Sequence, residues 1–284
     1  MIFDFSHRTV KRKREGPISI NVVAKKIIDC HAHLEQIRDL EAALSRAKQA
    51  QVVAIVAVSV DLNSCQEVLK ISRNYRDRRL YPQIYPALGM HPGNLQPAQL
   101  PAVIKLIEEN MDKIAAIGEI GLDFWYKQAK EAGPRKLQEE TFLQQLDLAK
   151  RYNKPVIIHS RGAWRDCLTL VVQQGITQAV FHWYSGPQDV LQDILKQGYF
   201  ISATASCEYS REHRQAIEET PLEKLLLETD APVVFKGESG KYQSEPKDVL
   251  RALKAVAQIK DVAEAVLAQK TLENAREFFS ITLV

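Results

Sequence analysis

A chain of 284 residues, 45% hydrophobic and 26% charged, is long enough to bury a full core and has the composition of a globular enzyme. Its formal charge of +3, from 38 basic and 35 acidic residues, neither requires nor excludes a polyanionic partner, so a nucleic-acid function has to be argued from a site. The apolar segment VVAIVAVSV is too short to cross a membrane, which takes about 18 apolar residues.

The first 25 residues precede the first predicted strand and form a basic N-terminal extension. They include the cluster KRKRE but have neither the apolar segment nor the small-residue cleavage site of a signal peptide. We expect this segment to pack on the domain or to fray from it, and an arm that contacts nucleic acid is the alternative. The main domain is expected over residues 26–284.

Short apolar segments alternate with longer amphipathic segments over this domain, which is typical of repeated βα units. Eight strands are predicted, with the sequences KIIDCH, VVAIVAVSV, IYPALGM, IAAIGEIG, PVIIHS, QAVFHWY, GYFISAT and KLLLETD. Helical segments between them include RDLEAALSRAKQA, PAQLPAVIKLIEENMDK, GPRKLQEETFLQQLDLAKRY and PQDVLQDILKQG. EPKDVLRALKAVAQIK, DVAEAVLAQK and TLENAREFFSIT are expected to form closing helices after the last strand.

Eight strands joined by helical crossovers predict a single-domain α/β fold, the (β/α)₈ TIM barrel. A doubly wound open sheet is the alternative, but the sequence lacks the G-x-G-x-x-G and Walker A motifs that would favour it. The four cysteines are scattered, without the spacing of a disulfide framework or a zinc module: Cys30, Cys65, Cys167 and Cys207. Free thiols favour a reducing, cytoplasmic setting.

Reactive residue types are concentrated where the predicted strands end. Five of the seven histidines lie at or just past a strand end: His31, His33, His91, His159 and His182. Two acids, Glu119 and Asp230, have the same kind of position. Because the active site of such a barrel lies at the carboxyl ends of its strands, we expect these side chains to converge.

Imidazole and carboxylate groups are the ligands of zinc, manganese and related divalent ions. Six metal ligands are predicted from five strands: His31, His33, Glu119, His159, His182 and Asp230. Six exceeds the four ligands of one tetrahedral ion, so we expect two divalent ions, Mg²⁺, Mn²⁺ or Zn²⁺, that share Glu119 as a bridge. Asp29 alternates onto the face of His31 and His33, so it is a candidate acceptor for one of their imidazoles.

Eight motifs follow one another along the domain: DCHAHL, GMHP, GEIGLDF, PVIIHSR, HWYSG, PLEKLLLETDAP, SEP and ENAREFF. Through these motifs the chain resembles the TatD family of metal-dependent deoxyribonucleases over residues 26–280. The resemblance implies a first ion held by His31, His33, Glu119 and Asp230. It implies a second ion held by Glu119, His159 and His182.

Three segments depart from the family pattern. Gly162 stands where the family usually has an acid after HSR, and HWYSG replaces the usual HCFSG. Lys236 and Lys241 stand in the segment where the family typically has an arginine before EP. The metal ligands are intact, so these departures concern the contacts with substrate.

We expect a metal-dependent hydrolase that cleaves phosphodiester bonds of DNA, as an exonuclease acting on single-stranded ends. Two divalent ions would activate a shared water, and Asp230 is the candidate general base. Arg161, two residues beyond His159, is a candidate phosphate contact, with a salt bridge on the barrel rim as the alternative. His91 is a second candidate substrate contact, with a hydrogen-bonded loop histidine as the alternative.

Four aromatic residues near the expected mouth can stack on bases or pack the loops: Phe124, Trp125, Trp183 and Tyr184.

Two further functions are considered. The same barrel can hydrolyse esters, lactones or aminoacyl-nucleic-acid bonds, because an activated water also attacks carbonyl carbon. A binding protein with structural metals is the third hypothesis, but structural sites are usually closed and do not need two ions.

Overall fold

The computed structural model describes residues 25–77, 79–237 and 240–283. The predicted basic extension, residues 1–25, lies outside the described residues except for its last residue. The division of the chain into this extension and a main domain therefore stays a prediction. Eight parallel strands form one sheet in chain order. They are β1 (Ile27–Ala32), β2 (Val52–Val58), β3 (Gln83–Leu88), β4 (Ala116–Gly121), β5 (Val156–His159), β6 (Ala179–Phe181), β7 (Phe200–Ala203) and β8 (Leu225–Leu227).

Every residue of β1 and of β4 is buried, as expected for a parallel sheet that is covered on both faces. Helices cover the outside of the sheet. In the described part of the chain they are α1 (Leu40–Gln49), α2 (Leu62–Asn74), α3 (Leu100–Glu109), α4 (Ala132–Tyr152), α5 (Trp164–Gln173), α6 (Gln188–Lys196), α7 (Arg211–Glu219), α8 (Val249–Lys260) and α9 (Glu264–Phe278). None of these described helices combines the length and apolarity that crossing a membrane requires.

The sheet closes between its first and last strands. Ala32 and Ala231 form a parallel bridge just beyond β8. The N–H of His33 donates to the carbonyl of Ala231 at 2.7 Å, and the N–H of Asp230 donates to the carbonyl of His31 at 2.9 Å. The eight-stranded barrel is thereby confirmed, and its closure brings three predicted ligands from the two ends of the domain side by side.

Asp29 strengthens this seam but does not contact an imidazole. Its carboxylate accepts the N–H and the hydroxyl of Thr229, at 2.9 and 2.6 Å, and the N–H of His31 at 3.3 Å. Burial raises the pKa of this carboxyl well above its usual value. The expectation that Asp29 orients an imidazole is wrong, because both oxygens are used in joining β1 to the segment after β8.

Two features of the helical layer differ from the predicted segments. DVAEAVLAQK and TLENAREFFSIT form the single helix α9, since no glycine or proline separates them. Helix α2, which was not predicted, begins with a capping box. Its Asp61 carboxylate accepts the N–H of Ser64, and the Ser64 hydroxyl accepts the N–H of Asp61, each at 2.8 Å.

A small antiparallel hairpin, which was not predicted, follows β8. Its strands are β9 (Val234–Gly237) and β10 (Gly240–Gln243), and Lys236 pairs with Lys241 in its register. The ring of Phe235 packs on Trp183 with centroids 5.3 Å apart, which holds the hairpin against the segment after β6.

Candidate metal centre

All six predicted ligands lie at the carboxyl ends of five barrel strands. Five of them line a pocket of about 1140 Å³, and His31 is fully buried beneath it. The chain positions follow from the fold: His31 and His33 end β1 and begin the next segment, Glu119 lies in β4, His159 ends β5, and His182 and Asp230 follow β6 and β8. Their roles as metal ligands stay a prediction. The six side chains form two groups around Glu119, and the distances within each group can be compared with those around a bound ion.

The first group contains the Nε2 atoms of His31 and His33, Oε2 of Glu119 and Oδ1 of Asp230. Each of the four nitrogen-to-oxygen distances is 3.3 or 3.4 Å. Ligands about 2.0–2.1 Å from a tetrahedral cation are separated by about 3.3–3.4 Å, so these atoms fit one divalent ion. Nε2 of His31 is buried and has no hydrogen-bond partner in the described part of the chain, and an ion would provide one.

The second group contains Oε1 of Glu119, Nδ1 of His159 and Nε2 of His182. The oxygen lies 2.7 Å from His159 and 2.8 Å from His182, and the two nitrogens are 3.3 Å apart. The two shorter distances are those of hydrogen bonds. These ligands would therefore have to move apart by roughly half an ångström to hold a tetrahedral ion.

Glu119 links the groups, because Oε2 faces the first and Oε1 faces the second. This is the arrangement expected of a bridging carboxylate. Asp230 reaches the first group from a left-handed backbone conformation, with φ of 50°, which aspartate tolerates better than most residues. A turn follows this residue, since the N–H of Val233 donates to the carbonyl of Asp230 at 3.0 Å.

Two buried carboxylates that were missed in the sequence contact the histidines of the second group. Asp123 Oδ2 lies 2.8 Å from Nε2 of His159, on the side of the ring away from Glu119. Glu228 Oε1 lies 3.4 Å from Nδ1 of His182. A carboxylate of this kind selects the tautomer of a ligating imidazole and raises its basicity. Asp123 lies in the motif GEIGLDF and Glu228 in LLLETDAP. Their closeness in sequence to Glu119 and Asp230 was the signal that could have identified them.

Electrostatics favour a cation throughout the centre. Burial lowers the pKa of His33, but its contacts with Asp230 and Glu119 outweigh that effect and raise the pKa to about 10. Burial alone would raise the pKa of Glu119, yet the surrounding histidines, with His182 contributing most, hold it well below its usual value. The carboxylates thus stabilise positive charge, whether it is a proton on an imidazole or a bound ion.

His91 faces the second group and is also hydrogen-bonded within its loop. Its Nε2 lies 3.5 Å from Oε1 of Glu119, and its Nδ1 accepts the N–H of Gly93 at 2.9 Å. Burial lowers its pKa to about 4, so the ring is neutral at pH 7 and carries its proton on Nε2. His91 is therefore a hydrogen-bonded loop histidine whose Nε2–H faces the centre, and its contact with substrate stays a prediction.

Arg161 forms a salt bridge, which was the alternative interpretation of this residue, and its contact with phosphate stays a prediction. Its Nε donates to Oδ2 of Asp123 at 2.8 Å, and it lines the pocket with 44% of its side chain exposed. Its guanidinium carbon lies 5.0 Å from the ring centre of Tyr126 and 5.8 Å from that of Trp125. One buried carboxylate therefore holds both this arginine and His159.

The four aromatic residues at the mouth have different environments. Trp125 is exposed, and Trp183 is half-buried against the β9–β10 hairpin. Phe124 is half-buried, with Arg135 over its ring at 4.4 Å. Tyr184 is fully buried, and its hydroxyl donates to the carbonyl of Pro187 at 2.7 Å. Tyr184 therefore packs the loop and cannot stack on a base.

Comparison with known proteins places the chain among metal hydrolases of one family. The family model described as TatD related DNase matches residues 28–280. The human deoxyribonuclease TATDN3 is 31% identical over 265 residues, which cover 89% of this chain and 94% of the relative. The uncharacterized metal-dependent hydrolase YabD of Bacillus subtilis is 28% identical over 90% of this chain and 99% of its own length.

A solved structure extends this likeness to the fold. The crystal structure of YjjV, a TatD homolog from Escherichia coli, superimposes with a TM-score of 0.82 at 29% identity. The alignment covers 91% of this chain and 99% of that one. Family model, sequence relatives and barrel agree, and the chain belongs to the TatD related DNase family.

Proposed function

We propose that the chain is a divalent-metal-dependent deoxyribonuclease, an exonuclease that trims single-stranded DNA ends. The observation that carries the proposal is the Glu119 carboxylate, whose two oxygens face separate groups of nitrogen and oxygen ligands. Paired divalent sites of this kind are suited to displacement at phosphorus. The name of the human relative, a deoxyribonuclease, supports DNA as the substrate.

We assign one ion to His31, His33, Glu119 and Asp230 and a second ion to Glu119, His159 and His182, with Mg²⁺, Mn²⁺ or Zn²⁺ as the candidates. The tetrahedral spacing and the two imidazole nitrogens of the first group support zinc there. When bound, the ions would supply the positive charge that lowers the pKa of a water and stabilises charge on the phosphoryl oxygens.

The remaining steps belong to the side chains of this chain. Asp230, which lines the pocket, is the proposed general base that accepts the proton of the attacking water. The terminal amino groups of Arg161 are the proposed contacts with phosphate oxygens, since Nε is held by Asp123. Nε2–H of His91 is the proposed donor to a substrate oxygen at the second group.

We also propose that the protein is located in the cytoplasm. All four cysteines are buried free thiols, which suits a reducing compartment.

The test separates this proposal from the two other functions considered. Purified protein is freed of metal, resupplied with magnesium, manganese or zinc, and given end-labelled single-stranded DNA, duplex DNA and a panel of nitrophenyl esters. We expect mononucleotides to be released from single-stranded ends only when a divalent ion is present. Ester turnover without nucleotide release would favour the esterase function. No turnover with any ion would favour a binding protein, and internal cuts would reject the exonuclease assignment.

A further inference from the structure

Trp125 exposes most of an indole ring inside the pocket. It is 61% exposed, although a tryptophan is usually well buried, and it lines the same wall as Arg161 and His159. Exposed apolar surface contributes nothing to the stability of the folded chain. A large apolar ring that is held open to a catalytic pocket is instead typical of a contact with a ligand.

The backbone beneath this ring is shaped to receive it. Gly162 has φ of 74°, and a β-carbon at this position would lie 2.6 Å from Nε1 of Trp125. Any other residue at 162 would displace the indole. Trp164, whose ring meets Trp125 edge to face at 6.3 Å, likewise occupies the space of a missing β-carbon, at Gly186.

The position of the indole is tied to the metal centre through Asp123. Oδ1 of Asp123 accepts the backbone N–H of Trp125 at 2.8 Å, while Oδ2 contacts Nε2 of His159 and Nε of Arg161, each at 2.8 Å. One buried carboxylate therefore sets the relative positions of the backbone that carries the exposed indole, a candidate phosphate-binding cation and a candidate metal ligand. These three contacts are short hydrogen bonds, and Oδ1 also accepts the backbone N–H of Tyr126 at 3.2 Å, so the Asp123 carboxylate is held from several sides.

We propose that Trp125 is a stacking platform for one unpaired nucleobase of the strand whose phosphate is cleaved. This inference rests on the proposed nuclease function. The base would lie on the open part of the indole while its backbone phosphate contacts Arg161. Stacking accepts any base, because each has a π-face, but it requires a base that is not held in a duplex. The subsite would thus select single-stranded DNA without reading its sequence.

The test compares the wild-type chain with Trp125→Ala and Trp125→Phe on a single-stranded oligonucleotide. Stacking on one aromatic ring changes affinity by roughly 5- to 150-fold, so Trp125→Ala should raise KM by about tenfold or more with little change in kcat. Trp125→Phe should recover most of the loss. On an oligonucleotide whose terminal nucleotides are abasic, Trp125→Ala and the wild type should have the same KM.

Two further variants sharpen the comparison. Gly162→Ala leaves the indole in the chain but displaces it, and it should raise KM as Trp125→Ala does. Tyr152→Ala removes an aromatic ring that is 45% exposed at the end of α4, away from the pocket, and it should leave KM unchanged.

The outcomes separate this inference from the nuclease proposal. If the wild type degrades DNA and Trp125→Ala has an unchanged KM, the stacking platform is refuted and the nuclease stands. An equal rise in KM on the abasic strand would refute base stacking as its cause. If the wild type releases no nucleotide with any divalent ion, both proposals are refuted together.

Discussion

Glu119 is the residue on which both halves of the candidate centre depend. Its Oε2 lies 3.3 Å from Nε2 of His31, and its Oε1 lies 2.7 Å from Nδ1 of His159. A carboxylate that ligates two ions also reduces the repulsion between them. Removing this carboxylate would leave both ligand groups without the anion that they share.

Glu119→Ala is therefore expected to lose both ions and to reduce any hydrolytic activity by more than about a hundredfold, since even the loss of an outer carboxylate costs 10- to 100-fold. Metal content by elemental analysis of the purified variant, measured with its turnover, checks this. Two bound ions and normal turnover in the variant would contradict the bridging assignment.

Glu228 acts on the centre through His182, whose Nδ1 lies 3.4 Å from its Oε1. Both oxygens of Glu228 are buried without a hydrogen-bond partner among the described residues. A ring nitrogen of His31 lies within 4.8 Å of this carboxylate and of His182, and the two imidazoles stack with centroids 4.2 Å apart. The carboxylate thus lies beside one histidine from each ligand group.

Glu228→Gln should weaken metal binding by about 10- to 100-fold, because a neutral amide raises the basicity of an imidazole less than a carboxylate does. Calorimetric titration of metal into the metal-free variant measures this without relying on activity. Glu223→Gln is the matched control, since Glu223 is an exposed partner of Lys270, and it should bind metal normally. Wild-type affinity in Glu228→Gln would show that this acid does not act on the centre.

At the scale of elements, His213 joins the segments that follow β6 and β7 to helix α7. Its Nε2 accepts the N–H of Thr204 at 3.1 Å, and its Nδ1–H donates to the carbonyl of Tyr184 at 2.7 Å. The same residue lies in the first turn of α7, where its own N–H donates to the Ser210 hydroxyl at 3.3 Å. Both ring nitrogens are used, so this buried histidine is structural.

This contact makes stability depend on pH. Burial lowers the pKa of His213 to about 4, whereas it is about 6.5 in the unfolded chain. The unfolded state therefore binds the extra proton first, and the contribution to stability is complete above pH 6.5 and is lost as the pH falls towards 4. Between pH 7 and pH 4.5 the loss is about 2–3 kcal/mol.

Urea unfolding of metal-free wild type and His213→Gln at both pH values measures this loss. The variant should be less stable at pH 7, but its decrease in unfolding free energy between pH 7 and pH 4.5 should be smaller by about 2–3 kcal/mol. Equal decreases in the two proteins would mean that His213 is not the titrating group.

Helices and strands were predicted correctly where the spacing of apolar residues over a short segment was sufficient to identify them. The buried strands are short, rich in β-branched residues and bounded by polar residues, as in Val156–His159, and they could be located without tertiary information. Helix ends were less certain, because α9 joins two predicted segments across Lys270 and Thr271. The hairpin at Val234–Gly237 and Gly240–Gln243 was missed, since its two strands have four residues each and only Phe235 is fully buried.

At the scale of the whole molecule, the centre exists only because the barrel closes. His31 and Asp230 are almost 200 residues apart in the chain, yet Nε2 and Oδ1 lie 3.4 Å apart. An ion held between them joins β1 to the segment after β8 and adds to the bonds of Asp29 across the same seam. Metal binding should therefore stabilise the entire fold, because the unfolded chain has no such site.

Adding a divalent ion at about 100 times its Kd should contribute about 2.7 kcal/mol, which corresponds to a rise in Tm of roughly 5 °C for a domain of this size. Scanning calorimetry with chelator and with each ion in turn measures the shift. Glu119→Ala should show little of it. An unchanged Tm of the wild type with magnesium, manganese and zinc would argue against ions in the first group.

The alternation of strands and helices, and the residue types at the strand ends, could be read directly from the order of amino acids. Both depend on short-range periodicity, which is why the barrel and its six candidate ligands were predicted. The ring nitrogen that each histidine presents, the carboxylate behind it and the partner of Asp29 depend on contacts between strands that are far apart in the chain. Likewise, the burial of Tyr184 and the exposure of Trp125 on Gly162 follow from how loops meet once the barrel has closed. Local sequence contains no measure of those distances, so tertiary structure alone decided them.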